Sequence, residues 1–120
     1  MDNEDQILLL EDDLLAQLTI RKMLEELGYS KIDSASTVDD ARFLTSQKEY
    51  SVIFCDVFIK GSDDGISFIK EQRSKTQAKI VLQTGLSMED LEKYEESKLA
   101  DFTLLKPYDY DEVRELLENV

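Results

Sequence analysis

The chain has 120 residues, 42% of them apolar, which is enough for one packed core and too little for two ordinary domains. A net charge of -13 argues against direct contact with nucleic acid or anionic membranes, because both require a positive surface. Histidine is absent and there is one cysteine, so this chain contains neither a histidine phosphocarrier nor an internal disulfide.

Short apolar runs alternate with longer segments whose residues are spaced as in helices. The predicted strands cover residues 6–11, 31–34, 51–56, 79–84 and 103–105, and the predicted helices cover residues 14–27, 38–48, 65–74, 87–98 and 109–118. Asp13 is predicted to cap the first helix, which repeats apolar residues from Leu14 to Leu27 in an amphipathic pattern. Gly28 then suits a left-handed C-terminal cap.

Five strand and helix pairs predict a single α/β domain, a parallel sheet covered by helices on both faces. Residues 52–55 are apolar without alternation, which predicts a central strand buried on both sides. Ligands of such sheets bind beyond the carboxyl ends of the strands. Polar residues at those ends are therefore the candidates for a functional site.

Polar side chains end or directly follow four of the predicted strands: Glu11 and Asp12, Asp56, Thr84, and Lys106 before Pro107. This set resembles the CheY-like receiver domains of two-component response regulators, and the resemblance covers essentially the whole chain, residues 1–120. It implies a doubly wound (βα)5 fold of the flavodoxin and CheY type, with strand order 2-1-3-4-5.

The resemblance implies that Asp56 is the phosphoacceptor, Thr84 the switch hydroxyl and Lys106 the conserved-type lysine that neutralises the transferred charge. It also implies Mg²⁺ as cofactor, held by Glu11, Asp12, Asp56 and the backbone carbonyl of Phe58. Two carboxylates 5 Å apart repel by about 3 kcal/mol at an effective dielectric constant of 20. A divalent cation would remove that repulsion.

The implied partners are a histidine kinase or histidine phosphotransfer protein as donor and an effector protein or domain downstream, with a phosphorylation-dependent homodimer left open. The chain would catalyse its own phosphorylation without turning over a small substrate. We expect a cytoplasmic protein, because no secretion signal and no membrane-length apolar run is present. A stand-alone regulator and a receiver from a longer regulator or hybrid kinase both remain open.

Several positions depart from the family's pattern. Where receivers commonly have proline and glycine, four and eight residues after the acceptor, this chain has Lys60 and Asp64, and Gly65 comes nine after. The segment therefore carries one extra residue, which bears on the Phe58 carbonyl. Thr103 stands at the position of the usual switch aromatic, beside Phe102.

Two further observations concern the fate of a phosphoryl group. Phe58 lies two residues after the acceptor and Leu86 two after Thr84, and neither can orient an attacking water, which predicts slow self-dephosphorylation.

A pseudo-receiver that binds partners without phosphorylation is the alternative, suggested by the irregular loop and the missing aromatic. A haloacid-dehalogenase type phosphohydrolase is disfavoured, since it requires an acid where Phe58 stands.

Overall fold

The computed structural model describes residues 1–59 and 65–120, in which parallel strands alternate with helices. The strands are β1 (Ile7–Leu10), β2 (Ile32–Ala35), β3 (Val52–Asp56), β4 (Lys79–Thr84) and β5 (Phe102–Leu105). The helices are α1 (Leu14–Glu26), α2 (Val38–Gln47), α3 (Gly65–Lys75), α4 (Met88–Leu91) and α5 (Tyr110–Glu118), and a 3-10 helix, Glu95–Leu99, precedes β5. Within these ranges no helix combines the length and apolar character needed to span a membrane.

The strands of the described residues form one parallel sheet in the order β2-β1-β3-β4-β5, which confirms the predicted fold. β3 is central and buried along its whole length, as its unbroken apolar run predicts. One core cluster joins the sheet to α1 and α5, and the other joins it to α2, α3 and α4. Leu10 pairs with Cys55, and Asp56 pairs with Gln83, so the carboxyl ends of β1, β3 and β4 lie side by side.

Helix α1 begins at the predicted residue, Leu14, and ends at Glu26, one residue before the predicted end. The Asp13 carboxylate accepts a hydrogen bond from the Ala16 backbone N–H at 3.1 Å, which satisfies one of the free donors of the first turn. Gly28 lies just beyond the helix end with a φ of 101°, and its N–H donates to the Glu25 carbonyl in the last turn.

The first half of α1 does not bury the apolar residues of its amphipathic pattern. Leu14, Leu15 and Leu18 are 66%, 75% and 51% exposed, whereas Gln17 and Ile20 face the core. Gln17 turns inward because its side-chain amide donates to the Glu11 carbonyl at 3.1 Å. The pattern therefore predicted the helix correctly and its buried face wrongly.

The prediction of one continuous helix over residues 87–98 is wrong. Ser87 caps α4 through its side chain, but α4 is only one turn and Leu91 is its buried residue. A helix this short depends on packing of an apolar face, which a single leucine supplies poorly. Ser97 then donates to the Leu91 carbonyl at 3.3 Å, and the chain continues as the 3-10 helix.

Candidate functional site

The Lys106 ammonium joins two acids from separate strands at the carboxyl edge of the sheet. Its Nζ lies 2.5 Å from Asp56 Oδ2 and 2.8 Å from Glu11 Oε2. The Lys106 backbone N–H donates to the Thr84 carbonyl at 2.7 Å, which fixes where the side chain starts. The long lysine side chain thus spans from the edge strand β5 to the centre of the sheet.

Glu11 is 1% exposed, yet it is an acidic side chain directly after β1. Its second oxygen, Oε1, accepts from the Asp13 backbone N–H at 3.1 Å. With Lys106 on the other oxygen, both carboxylate oxygens have donors, as burial of such a group requires. The arrangement fixes the Glu11 carboxylate beside Asp56.

Three carboxylates meet at this edge: Glu11, Asp12 and Asp56 each present one oxygen, and these oxygens lie within 4.8 Å of one another. Phe58 donates its backbone N–H to Asp56 Oδ1 at 3.1 Å, which orients the Asp56 carboxylate. Hard carboxylate oxygens so grouped are the donors that Mg²⁺ prefers. The three residues therefore fit the predicted cation, and the role of the Phe58 carbonyl as a ligand stays a prediction.

Thr84 lies at the end of β4 and is buried. Its hydroxyl oxygen accepts from the Leu86 backbone N–H at 3.0 Å, so its own proton is free to point elsewhere. Thr84 pairs with Leu105 and comes one residue after Gln83, the register partner of Asp56. Its predicted role as switch hydroxyl is compatible with this position.

Burial and like charge perturb the titration of the site. Desolvation raises the pKa of Glu11 to about 7, and the hydrogen bond with Asp56 raises it too, against the opposing effects of Lys106 and the Asp13 N–H. Burial alone would lower the pKa of Lys106, but hydrogen bonds with Asp56 and Glu11 outweigh it and raise that pKa above its ordinary value. Lys106 therefore stays charged, and Glu11 is the group that titrates near neutral pH.

The raised pKa of Glu11 predicts that, without divalent cations, stability falls as pH rises. Between pH 4.5 and 7 the folded protein keeps a proton on Glu11 that the unfolded chain has lost. This stabilisation is fully present below pH 4.5 and is lost as pH rises through 7, a change of about 1 to 3 kcal/mol in the free energy of unfolding.

Urea unfolding of the protein and of Glu11→Gln, in EDTA across this pH range, measures the effect. Glutamine resembles the protonated acid, so the free energies of the two proteins should diverge as pH rises. A difference that stays constant with pH would show that Glu11 has an ordinary pKa in the folded protein.

Gly65 occupies a position that no other residue fits. A Cβ there would lie 1.7 Å from the Asp56 carbonyl oxygen and 3.0 Å from Cys55 Sγ. The start of α3 thus touches Asp56, although Gly65 comes one position later than in the family's pattern. Lys60 and Asp64, the other two departures, lie outside the described residues.

Sequence reasoning missed two contacts around the site. The Phe58 and Tyr94 rings meet edge to face, with centroids 6.0 Å apart and planes at 76°, and the Tyr108 hydroxyl donates to Gln83 Oε1 at 2.5 Å. Burial raises the pKa of Tyr108 to about 12. The sequence does contain a signal for the second contact, because Gln83 is a polar residue after the apolar run of β4 and needs a hydrogen-bond partner if it is buried.

The aromatic residue next to the missing switch position does not replace it. Phe102 packs in the cluster with α1 and α5, whereas Thr103 is exposed. Because neighbouring residues of a strand point to opposite faces, Phe102 faces away from α4. Thr103 therefore leaves this chain without an aromatic at that place.

Comparison with known proteins agrees with this architecture. Residues 7–118 match the response regulator receiver domain family. The transcriptional regulatory protein HprR of Escherichia coli (strain K12) is 29% identical over 109 residues, which are 90% of this chain and 48% of HprR. The chain thus spans about half the length of this curated relative.

Solved structures give the same result. A CheY-like receiver domain from Methylobacillus flagellatus superposes with a TM-score of 0.83 and 26% identity, over 97% of this chain and 98% of the other. TrrA from Thermotoga maritima, solved in complex with Mg(2+)-BeF, gives a TM-score of 0.86 and 27% identity over 96% and 97%. The chain belongs to the response regulator receiver domain family of two-component systems.

Proposed function

We propose that residues 1–120 form one phosphoacceptor receiver, which takes a phosphoryl group on Asp56 in a Mg²⁺-dependent reaction and switches partner binding. The observation that carries the proposal is the placement of the Lys106 ammonium on both Asp56 and Glu11, with Asp12 completing the acidic cluster. TrrA in complex with Mg(2+)-BeF supports the same chemistry in a relative.

The side chains have distinct parts in this reaction. An Asp56 oxygen attacks the donor phosphorus and forms an O–P bond, while the bond from phosphorus to the histidine nitrogen breaks and its electron pair leaves with the imidazole. Lys106 neutralises charge on the phosphoryl oxygens, and the Thr84 hydroxyl donates to one of them afterwards. Glu11, Asp12 and Asp56 would hold Mg²⁺, which would supply further charge neutralisation when bound.

Intact mass spectrometry after incubation with acetyl phosphate and Mg²⁺ tests the proposal. We expect the mass of one phosphoryl group to be added, and Asp56→Asn or EDTA to prevent the addition. If wild-type protein gains no mass under conditions that phosphorylate a control receiver, the alternative of a phosphorylation-independent interaction module is favoured.

An apolar surface beside the site favours a protein as the natural donor. Leu15 and Ala16 of α1, with Pro107 and Tyr108 after β5, line an open groove of about 440 Å³ next to Lys106. An open and mostly apolar groove of this kind, in which Leu15 is 75% exposed, is typical of a surface that a partner covers. We assign it to the histidine kinase or phosphotransfer protein, and we propose a cytoplasmic location because kinases draw phosphoryl groups from ATP.

The output side of the proposal is a downstream effector protein or domain. HprR, a transcriptional regulatory protein about twice as long as the matched region, is a relative in which such a region belongs to a longer regulator. A homodimer that forms on phosphorylation is a second output, which size-exclusion chromatography of the phosphorylated and unphosphorylated protein distinguishes.

We expect the aspartyl phosphate to persist for many minutes. Phe58, two residues after Asp56, is 50% exposed, and neither its ring nor the Leu86 side chain carries a polar group that could orient a water molecule. Phe58→Gln should shorten the half-life by about tenfold, because an amide can hold the attacking water. Phe43→Gln, at an exposed position on α2, is the matched control and should not change it.

The decay is followed by intact mass after removal of acetyl phosphate. A wild-type half-life of seconds, or equal half-lives for wild type and Phe58→Gln, would contradict the hypothesis that Phe58 and Leu86 slow hydrolysis of the aspartyl phosphate.

A further inference from the structure

Gln83 is a polar residue in a place suited to an apolar one. It is 0% exposed, it lies in the interior strand β4, and it pairs in register with Asp56. Val81 on the same strand belongs to the cluster with α1 and α5, so by alternation the Gln83 side chain points to that face as well. Burying an amide there costs free energy unless its polar atoms are paired.

One half of the Gln83 amide is paired and the other is not. Oε1 accepts from the Tyr108 hydroxyl at 2.5 Å, whereas Nε2 has no hydrogen-bond partner among residues 1–59 and 65–120. An unpaired buried donor is destabilising, so an apolar residue would serve packing better. The residue is therefore poorly explained by stability alone.

The Tyr108 contact bears on the site because of where it lies. Tyr108 comes two residues after Lys106, and the Lys106 N–H is bound to the Thr84 carbonyl, next to Gln83. The chain that carries Lys106 is thus attached to β4 at two points, one at the lysine backbone and one through the Tyr108 hydroxyl. β4 in turn flanks Asp56.

We propose that Gln83 and Tyr108 are positioning residues, whose hydrogen bond holds the Lys106 ammonium against Asp56 for phosphoryl transfer. This inference rests on the proposed function. Neither residue touches the reacting atoms. Loss of the hydrogen bond should leave Lys106 charged but less well placed, which slows the reaction without removing any group that takes part in it.

Gln83→Met separates this role from a structural one. Methionine keeps the volume and removes the unpaired Nε2, but it also removes the acceptor of the half-buried Tyr108 hydroxyl, so these effects offset and the thermal midpoint should change little. The rate of phosphorylation by acetyl phosphate should nevertheless fall by about tenfold, less than for complete loss of a charge-stabilising group. A residue that only supports the core would change both quantities in the same direction.

Tyr108→Phe and the double variant Gln83→Met/Tyr108→Phe complete a double-mutant cycle. Tyr108→Phe should slow phosphorylation to a similar extent, and the double variant should be no slower than either single one, because all three lose the same hydrogen bond. Tyr50→Phe and Gln72→Met are matched controls, since Tyr50 donates to Asp33 at 2.8 Å and Gln72 donates to Thr45 at 3.5 Å, contacts that involve none of the site residues. Both controls should react at the wild-type rate.

A readout that needs no phosphorylation separates failure of this inference from failure of the proposed function. In ¹⁵N-lysine-labelled protein the Lys106 ammonium, identified by its loss in Lys106→Met, should give a sharp signal that broadens in Gln83→Met and in Tyr108→Phe. An unchanged signal overturns the inference, even if the wild-type protein accepts no phosphoryl group. Wild-type rates in both variants, or effects that multiply in the double variant, also overturn it.

Discussion

Replacing Lys106 with methionine is expected to slow phosphorylation of Asp56 by about 100- to 1000-fold. The ammonium lies 2.5 Å from Asp56 Oδ2, where the proposed transfer would concentrate negative charge. Methionine fills most of the same volume, so the loss measures charge and hydrogen bonding more than packing. Intact mass during incubation with acetyl phosphate and Mg²⁺ gives the rate.

The same variant should be less stable without Mg²⁺, by about 3 kcal/mol, because Glu11 and Asp56 then share a buried site without their cation. Added Mg²⁺ should recover much of this loss. Lys93→Met is the matched control, since Lys93 is exposed on the loop after α4 and pairs only weakly with Asp90. A Lys106→Met rate within about threefold of wild type would be incompatible with its part in transition-state stabilisation.

Gly65→Ala should cost about 3 kcal/mol or more of unfolding free energy. The added Cβ would lie 1.7 Å from the Asp56 carbonyl oxygen, and β3 is buried on both faces, so neither side can move without disturbing the core. Displacement of Asp56 should lower the phosphorylation rate as well. Urea unfolding measures the first effect and intact mass the second.

Gly85→Ala is the matched control, because a Cβ at Gly85 meets no atom within 4 Å. It should unfold close to the wild-type urea concentration. If Gly65→Ala and Gly85→Ala unfold at the same urea concentration, then α3 does not begin against Asp56, and the contact between Gly65 and Asp56 is wrong.

The fold could be predicted from sequence because its signals are local and repeated. The unbroken apolar run before Asp56 indicated a central strand, and alternation of strands and helices indicated a parallel sheet. Parallel strands bring their carboxyl ends to one edge, so the convergence of Glu11, Asp56 and Lys106 followed from the same reasoning. Their chemical roles remain predictions that the experiments above address.

Other features depended on tertiary contacts that a one-dimensional pattern does not contain. Gln17 turns toward the core because of one hydrogen bond to the Glu11 carbonyl, whereas Leu15 is left exposed. Hydropathy alone would predict the opposite, with the leucine buried and the glutamine exposed. The helix expected over residues 87–98 breaks after Leu91, since little apolar surface holds it. The pairing of Gln83 with Tyr108 joins residues 25 positions apart in sequence, where no local spacing reports contact.

Chemical mapping of the phosphorylated residue tests the central claim most directly. After incubation with acetyl phosphate and Mg²⁺, borohydride reduces an aspartyl phosphate to homoserine, which tandem mass spectrometry locates in the peptide. We expect homoserine at position 56 alone, and none when Mg²⁺ is withheld. Homoserine at position 12 instead, or unmodified Asp56 in protein that has gained a phosphoryl group, would contradict the assignment of Asp56 as acceptor.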